Sequence, residues 1–127
     1  MKMNKIKLAI ADDSALLRER IKDLVTMFPA VEIVGEAENG VEALQLIIDK
    51  EPDLVTLDIR MPEMNGIEVL KKVKERRSKT KVCILTNYPN HRYKERCLAE
   101  GADYFFDKSK DFQRIATVIA GLVQTHK

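Results

Sequence analysis

Two cysteines in 127 residues are too few for a disulfide framework, and neither Cys83 nor Cys97 stands in a cluster of metal-ligating residues. Cys83 lies inside an apolar run, and both read as plain buried or half-buried thiols. Near the N-terminus Lys2, Lys5 and Lys7 are followed by no apolar stretch long enough for a signal peptide, and no transmembrane segment comes after. The expected setting is the reducing cytoplasm. Charge of neither sign dominates: 22 basic and 20 acidic residues leave a net charge of +2, so no global field calls for nucleic acid or a membrane. Repeats, linkers and low-complexity segments are also missing. What remains is 45% hydrophobic and 33% charged, the composition of a soluble globular domain. A chain of this size fits one domain and buries roughly two-thirds of its unfolded surface, enough for a core without staples.

Short apolar runs alternate with longer segments of helical period, five times over. Ile6 to Ala11, Leu54 to Leu57 and Val82 to Thr86 are nearly continuous, as strands covered on both faces are. Val31-Glu32-Ile33 and Tyr104-Phe105-Phe106-Asp107 are more mixed and suit edge strands. Between them Leu17, Ile21, Leu24, Val25 and Phe28 make a helical stripe, with Ser14 placed to cap it. Ala43, Leu44, Ile47 and Ile48 make a second, closed by Pro52, and Ile67, Leu70 and Val73 a third. Tyr93, Cys97 and Leu98 form a fourth that Gly101 ends, and Phe112 to Val123 a fifth. This alternation specifies an α/β fold: a parallel sheet with right-handed crossovers and helices on both faces. The stretch Lys71 to Lys81, with seven basic residues and one acidic, reads as a solvated helix end, since no aromatic residues interleave to stack on bases.

The informative feature is where the acidic residues fall. Asp12 and Asp13 follow the first strand, and Asp58 terminates the third. In an open parallel sheet the ligand crevice lies beyond the carboxyl ends of the strands, where the winding reverses, so three carboxylates converge there. Thr86 ends the fourth strand and Lys108 follows the fifth, bringing a hydroxyl and an ammonium to the same edge. Three carboxylates against one lysine leave a local charge of −2, which a hard divalent cation relieves. Mg²⁺ is the natural candidate, because it takes one or two carboxylates and keeps waters for a phosphate oxygen to displace. Lysine and hydroxyl then remain for the other phosphoryl oxygens, the equipment for in-line transfer to a carboxylate nucleophile. A lone strand-end Asp or Asp-Asp pair is ordinarily a turn or cap; it is the ordered set that points to chemistry.

That ordered set, Asp12-Asp13, Asp58 before Met61-Pro62-Glu63-Met64-Asn65-Gly66, Thr86 and Lys108, resembles the response-regulator receiver family over about residues 6 to 124. The resemblance implies a flavodoxin-like, doubly wound five-stranded parallel sheet of order 2-1-3-4-5 with five helices. It implies one receiver domain over 1–127, with Asp58 as phosphoacceptor, Asp13 and Asp58 as direct Mg²⁺ ligands and Asp12 as a ligand through water. The carbonyl of Arg60 would be a third protein ligand, Thr86 and Lys108 would bind phosphoryl oxygens, and Phe105 would move with the switch. Gly66 would give the turn after the active-site loop its freedom. The implied phosphodonor is a sensor histidine kinase. A partner domain or second receiver is expected on the fourth helix, fifth strand and fifth helix, and DNA only through a separate output domain.

Two positions depart from the commoner pattern. Ser109 follows Lys108 where many members have a proline with a cis bond, which leaves the isomer of the Lys108–Ser109 bond open. Asn87 stands after Thr86 where a smaller residue is common, at a place that governs access of hydrolytic water. The segment Phe106-Asp107-Lys108-Ser109 is similar to variants in receivers fused to helix-turn-helix output domains. The chain is expected not to be a turnover enzyme on an external substrate. A haloacid-dehalogenase-type phosphohydrolase would need an Asp-x-Asp pair, whereas Ile59 and Arg60 follow Asp58. A pseudo-receiver would lack a site residue, and none is missing. A flavodoxin proper is disfavoured by an acidic first loop, Ala11-Asp12-Asp13-Ser14, that repels an FMN phosphate. His91 and His126 read as surface residues.

Overall fold

The computed structural model describes residues 5–87 and 90–125; Lys2 and His126 lie outside them. Five strands and five helices alternate along the chain. They are β1 (Ile6–Ala11), α1 (Ala15–Val25), β2 (Val31–Ala37), α2 (Gly40–Lys50), β3 (Leu54–Asp58), α3 (Gly66–Glu75), β4 (Lys81–Thr86), α4 (His91–Ala99), β5 (Tyr104–Asp107) and α5 (Arg114–Thr125). All strand pairs are parallel and the sheet order is β2-β1-β3-β4-β5, the doubly wound arrangement expected. The mixed runs occupy the two edges and the continuous apolar runs the centre.

Strand alternation divides the core into two layers. Ala9, Ala11, Val55, Leu57, Val82 and Ile84 point to one face, where they pack with Ala43, Ile47, Val69, Leu70, Val73 and Cys97 from α2, α3 and α4. Ile6, Leu8, Ile10, Leu54, Cys83 and Leu85 point to the other, against Leu17, Ile21, Leu24, Ile115 and Ile119 of α1 and α5. Both cysteines are free and buried, and desolvation pushes the thiols up, to about 12 for Cys83 and about 11 for Cys97. They are packing groups.

Four helices begin on a side-chain cap. Ser14 accepts from the Leu17 amide at 3.2 Å, Asn39 from Glu42 at 2.8 Å and Asn90 from Tyr93 at 3.0 Å. Asn65 and Glu68 form a reciprocal capping box at the start of α3. These caps fix where each loop after a strand ends and so shape the crevice above the sheet.

Three elements differ from their sequence reading. β2 runs to Ala37, because an edge strand with one half-open face tolerates Gly35 and Glu36; a bulge opposite Leu8 and Ala9 accommodates its length. Helix α1 ends at Val25, and Phe28 packs on the core from the following turn through its amide bond to Val25 O. Phe112 likewise is buried ahead of α5, which starts at Arg114. No cis peptide bond occurs among the described residues, so Lys108–Ser109 is trans.

Candidate functional site: an acidic crevice at the carboxyl edge of the sheet

The register of the central strands brings the first two carboxylates together. Ala11 of β1 stands beside Leu57 of β3, so one residue further puts Asp12 beside Asp58. Asp12, just past β1, and Asp58, the last residue of β3, continue the alternation of Leu8, Ile10 and Leu54, the residues that face α1 and α5. Asp58 pairs with Leu85 on its other flank, which places Thr86 one step beyond it at the end of β4. Thr86 O accepts the Lys108 amide at 2.9 Å, tying the β5 exit loop to the β4 terminus.

That loop is itself stapled. Asp107 Oδ1 accepts the amides of Ser109 and Lys110 at 2.8 and 3.3 Å, and Asp111 Oδ2 accepts the Asp107 amide at 2.9 Å. Lys108 is therefore carried on a rigid turn, and its side chain reaches back over the sheet. Nζ lies 2.8 Å from Asp12 Oδ2 and 3.1 Å from Asp58 Oδ2. One ammonium is shared between two buried carboxylates, with Asp12 2%, Asp58 5% and Lys108 8% exposed.

The electrostatics follow from that inventory. Burial, then the neighbouring charge of Asp12, raises the Asp58 carboxyl from 3.8 to about 6, although Lys108 pulls the other way. Burial alone would lower the Lys108 ammonium, but its contact with Asp12 and the charge of Asp58 outweigh it, and the net direction is up. Among the described residues, Lys108 is the lysine that pairs with these carboxylates, one ammonium against three of them.

Asp12, Asp13 and Asp58 each offer a carboxylate oxygen, all within 4.8 Å of one another. Asp12 Oδ2 is fully buried and, despite its ion pair with Lys108, makes no aligned hydrogen bond. Asp13 is exposed, and its carboxylate has no hydrogen-bond or ion-pair partner among the described residues. Hard oxygen donors with spare lone pairs and a negative surplus fit a divalent cation. Arg60 lies beside them, lining with Asp13, Met61 and Asn65 a cavity of about 450 Å³. A second cavity of about 400 Å³ is lined by Asn87, Lys108 and Ser109 together with Leu16 and Arg20 of α1. All six residues singled out by sequence, Asp12, Asp13, Asp58, Arg60, Thr86 and Lys108, thus lie at one edge of the sheet.

Two features were not legible beforehand. Gly66 was expected to supply turn freedom; its backbone instead passes so close to the Asp58 main chain that a Cβ would collide with the Asp58 carbonyl. The Gly66 amide donates to Ile59 O at 2.8 Å, pinning the loop that follows Asp58. The second is Arg18 on α1, whose guanidinium Nη1 donates to the main-chain carbonyl of Asp12 at 2.6 Å. No residue pattern reveals a bond from a side chain to a carbonyl six residues away.

The family model for the response regulator receiver domain matches residues 8–120, and the chain belongs to that family. A protein-glutamate methylesterase/protein-glutamine glutaminase of Carboxydothermus hydrogenoformans is 39% identical over 117 residues, 91% of this chain and 34% of that protein. The transcriptional regulatory protein DegU of Brevibacillus brevis is 31% identical over 121 residues, 95% of this chain and 51% of that protein. Among solved structures, a chain of the CheX–CheY–beryllofluoride–Mg²⁺ complex of Borrelia burgdorferi superposes with a TM-score of 0.79 at 28% identity, covering 91% of this chain and 90% of that one. The chain spans between about a fifth and somewhat over half of the length of these curated relatives.

These relatives correct one expectation, that the chain is not an enzyme. The first carries the name of an enzyme, and further methylesterase/glutaminases match over a fifth of their length. The physical reason is plain: a receiver sequence carries only its own site and says nothing of the chemistry joined to it. The remaining expectations on family and fold hold, and the receiver's phosphorylation-switch function fits the site. Among the described residues no helix is long and apolar enough to cross a membrane.

Proposed function

We propose that residues 1–127 act as one receiver unit in which Asp58 accepts a phosphoryl group from a sensor histidine kinase, with Mg²⁺ held by Asp13, Asp58, the carbonyl of Arg60 and, through water, Asp12. The observation that carries this reading is the shared, under-neutralised cluster: three carboxylates within 4.8 Å and a single lysine on two of them. Mg²⁺ held there would offset the negative charge of the cluster and act as a Lewis acid toward phosphoryl oxygens.

The chain's own groups supply the rest. An oxygen of Asp58 attacks phosphorus in line, an O–P bond forms, and the P–N bond of the donor phosphohistidine breaks with its electron pair leaving on the imidazole. The Lys108 ammonium, already 3.1 Å from Asp58 Oδ2, is placed to follow a phosphoryl oxygen as charge moves off the carboxylate. The Thr86 hydroxyl takes another oxygen by moving toward Asp58. That movement opens space beside β4 for the half-buried Phe105 of β5, which sits one strand over in register with Ile84. A changed α4–β5–α5 surface then carries the signal to an output domain or a second receiver. This activity belongs in the cytoplasm, where such a kinase presents its phosphohistidine, and reaches DNA only through a separate output domain.

Incubation with acetyl phosphate and Mg²⁺ tests the reading. One phosphoryl group should appear in the intact mass, labile to hydroxylamine, and EDTA or Asp58→Asn should abolish it. Equal labelling of the Asp58→Asn protein would overturn it.

A further inference from the structure

Arg18 is an α1 residue with a side chain only 12% exposed, and its guanidinium is engaged on every side. Nη1 donates to Asp12 O at 2.6 Å, Nε donates to Glu36 Oε1 at 3.1 Å, and Nη2 lies 3.6 Å from Glu38 Oε1. Lys22 takes the other oxygen of Glu36 at 3.0 Å, so that carboxylate is clamped as well. A planar fork with fixed donors suits this geometry in a way an ammonium does not.

The point of attachment matters. Asp12 is where β1 leaves the sheet. Its amide still bonds Ala37 O at 3.0 Å, its Oδ1 accepts the Ser14 amide at 2.8 Å, and its Oδ2 faces Lys108. Its carbonyl has passed the last rung of the ladder and is bonded by Arg18. Because the peptide unit is planar, fixing that carbonyl fixes the plane joining Asp12 to Asp13 and hence the direction in which Asp13 departs. The Ser14 amide on Asp12 Oδ1 holds the loop from its other side, while the Asp13 carboxylate itself has no hydrogen-bond or ion-pair partner among the described residues. Glu36 and Glu38 hold the guanidinium from its far side and offset only part of its charge, so what remains still disfavours a cation at the triad.

We infer that Arg18 is a positioning residue for the acidic loop: by holding the Asp12–Asp13 peptide it aims the Asp13 carboxylate into the cation site, without touching ion or phosphoryl group. This rests on the Mg²⁺ reading above. Electrostatics alone gives the opposite sign, which makes the inference sharp. Removing a positive charge near three carboxylates should tighten Mg²⁺ binding; losing the orientation should weaken it.

The experiment is a Mg²⁺ titration of the folded, metal-free chain followed by amide chemical shifts. Arg18→Met keeps the apolar stem and removes the donors, and it should weaken Mg²⁺ binding about tenfold, the lower end of what such supporting bonds are worth. Arg18→Lys restores a donor and the charge and should recover most of the loss. In EDTA, with no cation present, the Ser14 amide should exchange faster in Arg18→Met than in the parent. Should Arg18→Met fail to fold, Arg18→Gln, neutral and too short to reach the carbonyl, carries the same expectation. An unchanged or tighter Mg²⁺ affinity in the folded neutral variant overturns the role. Asp13→Ala separates the two ideas: if it abolishes Mg²⁺ binding while Arg18→Met does not, only the positioning role falls. If Asp13→Ala binds Mg²⁺ as the parent does, the magnesium reading falls and takes this inference with it.

Discussion

Replacing Asp58 with asparagine removes a charge that the metal-free fold holds against its burial. The carboxyl is raised from 3.8 to about 6, first by desolvation and then by Asp12. Between those values the folded chain binds a proton that the unfolded chain does not, so stability falls as pH rises through that window. Below pH 3.8 the stabilising contribution of the neutral acid is complete; above about pH 6 it is gone. At about 1.4 kcal/mol per pH unit the gap comes to about 3 kcal/mol at neutral pH. Asparagine is nearly the shape of the protonated acid and carries no charge at any pH. Asp58→Asn should therefore be more stable than the parent by up to about 3 kcal/mol in urea unfolding at pH 7.5 with EDTA. The advantage should shrink toward nothing near pH 4, and also in excess Mg²⁺, which under the proposed function should bind the parent and stabilise it by mass action. An asparagine variant less stable than the parent in EDTA, or an advantage that ignores pH, would refute the reasoning.

Three further outcomes are expected. Asp13→Ala should erase the rise in melting temperature that Mg²⁺ gives the parent, measured by scanning fluorimetry; an identical rise in both would count against a specific site. Thr86→Ala should still accept phosphate on Asp58 yet lose the beryllofluoride-induced chemical-shift response over β4 and β5; a full response would send the coupling through another route. Asn87→Ala, at the lip of the cavity beside Lys108, should change the acyl-phosphate half-life several-fold with phosphorylation intact, and an unchanged half-life would remove Asn87 from the hydrolytic path.

Most of this fold is legible in the residues because the central strands are apolar on both faces. Ile6 to Ala11 and Val82 to Thr86 have no other economical reading, and the structure places their alternate residues in separate layers. Edges are harder. Val31 to Ile33 declares itself a strand, whereas Val34 to Ala37 does not, since an edge face accepts glycine and glutamate. Helix limits fail for a related reason: Phe28 and Phe112 share the helical period yet are buried from the turns beside α1 and α5. The gathering at the carboxyl edge was legible where groups end strands, as Asp58 and Thr86 do, or directly follow one, as Asp12 does. What stayed hidden depends on the backbone as a partner: Arg18 on the Asp12 carbonyl, and Gly66 against the main chain of Asp58. Such contacts arise from three-dimensional closure, and residue types alone do not mark them.

The central claim is that one carboxylate among three adjacent ones carries the phosphoryl group. Asp12 is bonded by Ser14 and Lys108, Asp13 stands at the exposed rim, and Asp58 ends β3 beside the same Lys108; the proposed acceptor is Asp58. Borohydride reduction of the acetyl-phosphate-treated chain converts an acyl phosphate to the alcohol, so peptide mass mapping reads the position directly. The account predicts homoserine at residue 58 and none at residues 12 or 13. Homoserine at 12 or 13, with residue 58 unmodified, would contradict it.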